Sequence, residues 1–87
     1  MSETEFKSAA VLGSGSWGTA LAIVLGERGI PTTVYGIEED VLEDINENHT
    51  NSKYLPGTEL PENISATANI ADIVNEPLVL LVVPSQV

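Results

Sequence analysis

Three glycines in the hexapeptide Gly13-Ser14-Gly15-Ser16-Trp17-Gly18, and the segments on either side of them, restrict this chain to a narrow class of folds. Ser8 to Leu12 is a short apolar run that ends at Gly13 and reads as a strand. Ser16 to Arg28 reads as a helix, with Trp17, Ala20, Leu21, Val24 and Leu25 recurring on one inward stripe. Gly29 suits the left-handed position that closes a helix, and Pro31 prevents its continuation. A strand that turns through glycines directly into a helix is the opening unit of a parallel α/β sheet.

The rest of the chain continues the alternation. Thr32 to Tyr35 is β-branched and aromatic, a second strand stopped by Gly36. Glu39 to Asn48 forms a second helix with Val41, Leu42 and Ile45 inward; Glu38, Glu39 and Asp40 stand at its start, where the helix dipole favours carboxylates. Asn51 to Asn63 carries Pro56, Gly57 and Pro61 and reads as a loop. Ile64 to Thr67 is the third strand. Asn69 caps a short helix through Asn75, with Asp72 completing a capping box, and Pro77 ends it. Leu78 to Val83 is an uninterrupted apolar strand of the type covered on both faces.

The order β-α-β-α-β-α-β predicts an α/β fold with a Rossmann-like parallel sheet and right-handed crossovers, a truncated doubly wound fold. Strand order 3-2-1-4 leaves Leu78 to Val83 at an open edge with no charge or proline inside it. Self-association or homo-oligomerisation through that last strand is expected.

In this context each glycine has a task. Gly13 permits the tight turn, Gly15 leaves no side chain between backbone and a pyrophosphate, and Gly18 lets the helix approach the sheet. The N–H groups of Ser16, Trp17 and Gly18 then point at the phosphates. An acidic residue about twenty positions on should bind the adenosine ribose hydroxyls, and Glu38, just past Gly36-Ile37, lies at that distance, with Glu39 one step further. A 2′-phosphate is normally met by Arg or Lys at this place. The segment holds neither, and Glu38, Glu39 and Asp40 repel it, so NAD is favoured, with NADP the alternative.

Composition narrows the partners. Thirteen carboxylates against three cations give a net charge of −10, which disfavours nucleic acid and anionic membrane surfaces as partners. The same field opposes a dinucleotide, so local backbone dipoles must dominate at any phosphate site. There is no cysteine, so thiolate catalysis and cysteine metal sites are excluded, and no metal site is expected. The acidic start Met1-Ser2-Glu3-Thr4-Glu5 is no signal peptide, so a cytoplasmic location is expected. His49, the single histidine, has no catalytic partner and reads as a surface residue near the end of the second helix.

The run Gly15-Ser16-Trp17-Gly18-Thr19-Ala20-Leu21-Ala22 resembles the N-terminal signature of NAD(P)-dependent glycerol-3-phosphate dehydrogenases. Asn51 with Tyr54-Leu55-Pro56-Gly57, then Leu60-Pro61, then Val82-Val83-Pro84-Ser85 agree with it in order and spacing. The resemblance implies reversible hydride transfer between nicotinamide and C2 of sn-glycerol 3-phosphate, with dihydroxyacetone phosphate as the ketone. It implies that Ser16 and Trp17 line the cofactor site, that residues after the second strand meet the adenosine end, and that Tyr54 approaches the cofactor. Members that use NADP often carry a basic or polar residue where this chain has Ile37, which again turns the expectation toward NAD. The family's catalytic lysines lie beyond the fourth strand and in a helical C-terminal domain, and neither Lys7 nor Lys53 matches them.

Residues 1–87 are therefore expected to form a partial N-terminal dinucleotide-binding domain, without the C-terminal catalytic domain and inactive alone. The expected cofactor-binding residues are Gly13, Gly15, Ser16, Trp17, Gly18, Ile37, Glu38 and Tyr54, with no catalytic residue among them. The small-molecule phosphate substrate belongs to the full enzyme. Two other readings stand beside this one: a non-catalytic NAD-binding module, and the cofactor domain of another NAD-dependent 2-hydroxy-acid or sugar-phosphate dehydrogenase.

Overall fold

The computed structural model describes residues 7–74, 76 and 78–81. Its elements in chain order are β1 (Ala9–Leu12), α1 (Ser16–Glu27), β2 (Thr32–Tyr35), α2 (Glu39–Asn48), β3 (Thr50–Asn51), β4 (Leu55–Glu59), β5 (Ile64–Thr67), a 3-10 turn (Ile70–Asp72) and β6 (Leu78–Leu81). Four strands form one sheet in the order β5-β2-β1-β6, with every neighbouring pair parallel. This is the expected Rossmann-like α/β arrangement. It includes the open-edge position of the last strand, although Val82 and Val83 lie outside the described residues.

Register explains the core. Ala9, Thr32 and Ile64 align across the sheet, as do Val11, Val34 and Ala66. Side chains two apart share a face, so one face presents Val11, Val34 and Ile64 to Ala22 of α1 and to Val41 and Ile45 of α2, in a single buried cluster that Leu60 completes. Burying Ile45 fully stabilises by about 1.5–3 kcal/mol.

The first helix meets the sheet on a different stripe from the one its apolar pattern suggested. Gly18, Thr19, Ala22 and Gly26 are buried, whereas Trp17 is 75% exposed and Val24 48% exposed. Close approach selects small residues here. A Cβ on Gly26 would lie 2.8 Å from Asn63 Oδ1 and 3.3 Å from the Ile64 side chain. Ile23 and Leu25 flank this seam partly buried. The helix closes as its glycine predicts, with Gly29 at φ +84° and Ile30 N–H donating to Leu25 O at 3.0 Å.

Two further expectations are corrected. The segment from Asn51 to Asn63 is not wholly a loop, because β3 and β4 pair antiparallel with a register shift between Thr50 and Asn51. Pro56 and Gly57 are tolerated inside β4 because a two-stranded ribbon leaves an edge on each strand. The ribbon returns the chain so that Leu60 enters the core, its N–H donating to His49 O at 2.7 Å. The third helix is reduced to the 3-10 turn. Asn69 Oδ1 does accept from Ala71 N–H at 3.0 Å, but Asp72 accepts from Thr67 Oγ1 at 2.6 Å instead of reaching back to Asn69. The Asn69 N–H bonds Thr67 Oγ1, so no capping box forms. Asn75 lies outside the described residues.

Candidate functional site

The strand order reverses at β1. The chain moves outward from β1 through β2 to β5, then returns to place β6 on the other side of β1. Ligands of open α/β sheets bind outside the carboxyl ends of the strands at such a switch point. A cleft of about 590 Å³ lies there, lined by residues 12–18, residues 35–38 and Tyr54. All eight residues expected from the sequence, Gly13, Gly15, Ser16, Trp17, Gly18, Ile37, Glu38 and Tyr54, line it together.

The floor of the cleft is a set of unsatisfied donors. The first bond of α1 runs from Thr19 N–H to Gly15 O at 3.0 Å, so the N–H groups of Ser16, Trp17 and Gly18 have no partner along the helix. Gly15 is the N-cap and no side chain caps the helix. Its first turn also lacks any acidic residue, in a chain with thirteen carboxylates. An uncapped helix start that avoids carboxylates and faces an open cleft fits an anionic ligand.

Glycine geometry separates the space kept for a ligand from the space consumed by packing. A Cβ on Gly15 would meet nothing within 4 Å, so the cleft above it is open. A Cβ on Gly18 would run into the Gly13 carbonyl, its carbon 2.8 Å away. Gly36 is the same kind of position, because a Cβ there would fall 2.7 Å from Ser14 Cβ.

The glycine loop is held from behind by a buried polar clamp. Asn51 is fully buried, and its Nδ2 donates to Ser14 O at 3.0 Å and to Thr19 Oγ1 at 2.8 Å. Thr19 Oγ1 in turn donates to Ser14 O at 3.2 Å. The Asn51 Oδ1 accepts from Tyr54 N–H at 3.3 Å, so one side chain joins the loop, α1 and the turn after β3.

At the β2 end the cleft is walled by Glu38 and Tyr54, with Ile37 80% exposed beside them. Tyr54 Oη donates to Glu38 Oε2 at 2.6 Å, and Lys53 Nζ lies 2.5 Å from Glu38 Oε1 and 3.8 Å from Asp40 Oδ2. The bond from Lys53, followed by that from Tyr54, holds the Glu38 carboxyl below its ordinary value of 4.5. The same carboxylate pushes the Tyr54 hydroxyl and the Lys53 ammonium up. Glu38 is thus an ionised acceptor, Lys53 a cation and Tyr54 a neutral donor at neutral pH. Lys53 also stands 5.7 Å from the centre of the Tyr54 ring.

These contacts correct the reading of the ribose end. A cation is present there: Lys53, carried in on the turn between β3 and β4 rather than from the end of β2. Glu39 does not line the cleft, so Glu38 is the one carboxylate of the pair on its wall. Trp17 lines the cleft from the exposed side of α1 instead of packing inward. His49 is half-buried in the left-handed conformation at the end of α2, φ 56°, away from the cleft, rather than a plain surface residue.

Sequence reasoning missed Asn51 and Lys53 as parts of the site, and Gly36 as more than a strand terminator. A polar Asn-Ser-Lys-Tyr run before Pro-Gly is the one local signal, and it does not say which element it will face.

Among the described residues no group of three His, Cys, Asp or Glu side chains gathers to hold a metal. No helix among them is long and apolar enough to cross a membrane.

Comparison with known proteins agrees with this geometry. Residues 8–87 match the family described as NAD-dependent glycerol-3-phosphate dehydrogenase N-terminus. The chain is 44% identical over 80 residues to a glycerol-3-phosphate dehydrogenase [NAD(P)+] of Halalkalibacterium halodurans, covering 92% of this chain and 23% of the relative. It is 47% identical over 79 residues to the protein of the same name from Streptomyces griseus, covering 90% of this chain and 24% of the relative. The chain therefore spans roughly a quarter of the length of the curated relatives it matches. Among solved structures, the glycerol-3-phosphate dehydrogenase of Coxiella burnetii superposes with a TM-score of 0.81 at 34% identity, over 92% of this chain and 25% of that one. The glycine turn, the parallel sheet and the match over residues 8–87 agree, and the chain belongs to the glycerol-3-phosphate dehydrogenase family, of which it carries the N-terminal, nicotinamide-dinucleotide-binding region.

Proposed function

We propose that this chain is the cofactor-binding portion of an enzyme that interconverts sn-glycerol 3-phosphate and dihydroxyacetone phosphate. The supporting observation is the uncapped start of α1 beneath the open space over Gly15. Ser16, Trp17 and Gly18 would hold the pyrophosphate through their N–H groups, and Glu38 would accept the adenosine ribose hydroxyls. Trp17 and Ile37 supply exposed apolar surface at the mouth of the cleft, and Tyr54 closes its far wall. The dinucleotide supplies the hydride acceptor when bound. The relatives' names carry both NAD and NADP, and the ionised Glu38 supports NAD as the preferred form here.

These 87 residues would bind without turning over. Glu38 and Tyr54 are bonded to each other at the ribose end, Tyr35 is the other titratable side chain on the cleft wall, and no lysine or histidine lines the cleft among the described residues. Proton transfer to and from the substrate hydroxyl is assigned to lysines outside this chain, as the family resemblance implies. We assign the reaction to the cytoplasm.

The test is a calorimetric titration of NAD and NADH into the protein, followed by nicotinamide absorbance with glycerol 3-phosphate against other 2-hydroxy substrates. Saturable binding and a preference for glycerol 3-phosphate in the full-length protein are expected. Absence of dinucleotide binding would overturn the assignment.

A further inference from the structure

The chain carries three cations, Lys7, Arg28 and Lys53, against thirteen carboxylates. Lys7 precedes β1 and Arg28 closes α1, so both lie at the amino end of the parallel strands, opposite the cleft. Among the described residues Lys53 is therefore the one lysine or arginine at the cleft end, beside the wall residue Glu38. It reaches there on the turn between β3 and β4, and its two ion pairs, with Glu38 and Asp40, are the salt bridges found among the described residues. Its side chain is 51% exposed, and exposed ion pairs are weak and easily exchanged.

A dinucleotide with a bare ribose diol and one bearing a 2′-phosphate make opposite demands on this corner. The diol needs a carboxylate acceptor. The phosphate needs a cation and must tolerate Glu38 and Asp40, and a negative group brought beside two carboxylates is repelled unless a positive one stands between them.

Resting on the dinucleotide-binding reading, we propose that Lys53 is the specificity-determining residue at the ribose end. It leaves Glu38 to pair with a 2′-phosphate when one is present, whereas ribose hydroxyls need only Glu38, which Tyr54 Oη holds independently of Lys53. The sequence-based argument against NADP, that no basic residue follows β2, misses this cation because it comes from another part of the chain.

The experiment measures NAD and NADP affinities by calorimetry on the full-length protein, unmodified and as Lys53→Met and Lys53→Arg, at low and high salt. In Lys53→Met, NADP affinity falls roughly tenfold or more while NAD affinity changes by less than about threefold. Lys53→Arg keeps NADP binding. The extra salt sensitivity of NADP over NAD disappears in Lys53→Met. A NADP-to-NAD affinity ratio that moves less than about threefold in Lys53→Met overturns the proposal, whether both affinities fall together or neither falls. Failure of the unmodified protein to bind either dinucleotide would instead overturn the dinucleotide-binding reading itself.

Discussion

Asn51 donates its side-chain amide to the main-chain carbonyl of Ser14 at 3.0 Å, tying β3 to the glycine loop across 37 positions of sequence. The bond is buried and shared with Thr19 Oγ1, so the loop's orientation depends on a residue outside it. Replacing Asn51 with Ala removes two buried bonds and leaves the Ser14 carbonyl and the Thr19 hydroxyl with only each other as partners. A loss of about 1–3 kcal/mol in unfolding free energy is expected, read by denaturant titration. Dinucleotide affinity should fall as well. Unchanged stability would show that the clamp is dispensable.

Two glycines of the loop should separate binding from folding. Gly15 sits in extended backbone, φ −74°, with open space where a side chain would go. Gly15→Val should therefore keep the melting temperature and lose dinucleotide affinity by roughly tenfold or more. Gly18→Ala forces a methyl into the Gly13 carbonyl and should cost about 1–3 kcal/mol of stability along with binding. Equal behaviour of the two variants in melting would contradict this division.

Asp44 anchors the β3–β4 ribbon to α2. Its Oδ2 accepts from Ser52 N–H at 2.8 Å, and its Oδ1 accepts from Asn48 Nδ2 and Thr50 Oγ1. The Ser52 bond first, then those from Asn48 and Thr50, lower its pKa from the usual 3.8 to about 2. A carboxylate depressed in the folded state stabilises above its unfolded value and loses that contribution as pH falls through the folded one. The protein should therefore lose stability between about pH 4 and pH 2 through this group. Asp44→Asn should be less stable at neutral pH and show a flatter melting profile across that acid window. A wild-type slope retained in Asp44→Asn would assign the effect elsewhere.

His49 ends α2 in the left-handed region at φ 56°, and its Nδ1 is buried without a partner. Glycine reaches this conformation without a Cβ penalty, which is about 1–2 kcal/mol for other residues. His49→Gly should raise the melting temperature, corresponding to about 1 kcal/mol. A lower melting temperature would mean that the imidazole's packing outweighs the backbone strain.

The outer edge of β6 has no strand beside it among the described residues, and Val79 within it is 45% exposed. Self-association through this edge is proposed for the 87-residue chain, because unpaired backbone groups on an apolar strand template further pairing. Sedimentation should show concentration-dependent oligomers that Val79→Lys diminishes. A monomer at high concentration would remove the proposal.

Much of the fold can be read from the sequence, and the reasons are local. Strand or helix periodicity, the stops at Gly29 and Pro31, and the spacing of Gly13, Gly15 and Gly18 express constraints that act within a few residues. They suffice for the parallel order β5-β2-β1-β6 and for Gly13, Gly15, Ser16, Trp17, Gly18 and Glu38 among the twelve residues that line the cleft, whereas Ile37 and Tyr54 are expected from the family resemblance. Trp17 shows where local pattern fails. Its stripe is the more apolar one, but the side that meets the sheet is set by how closely two backbones can approach, which favours Gly18, Ala22 and Gly26.

By itself, then, the sequence determined the alternation of elements and the phosphate-facing turn, because glycine permissiveness and side-chain period belong to short stretches of chain. Only the tertiary structure decided that Asn51 would brace that turn and that Lys53 would stand at Glu38, 15 positions away. Those pairings arise when the β3–β4 ribbon folds back so that Leu60 can be buried. Hydrophobic burial is non-directional, and no local pattern records which polar groups it will bring together.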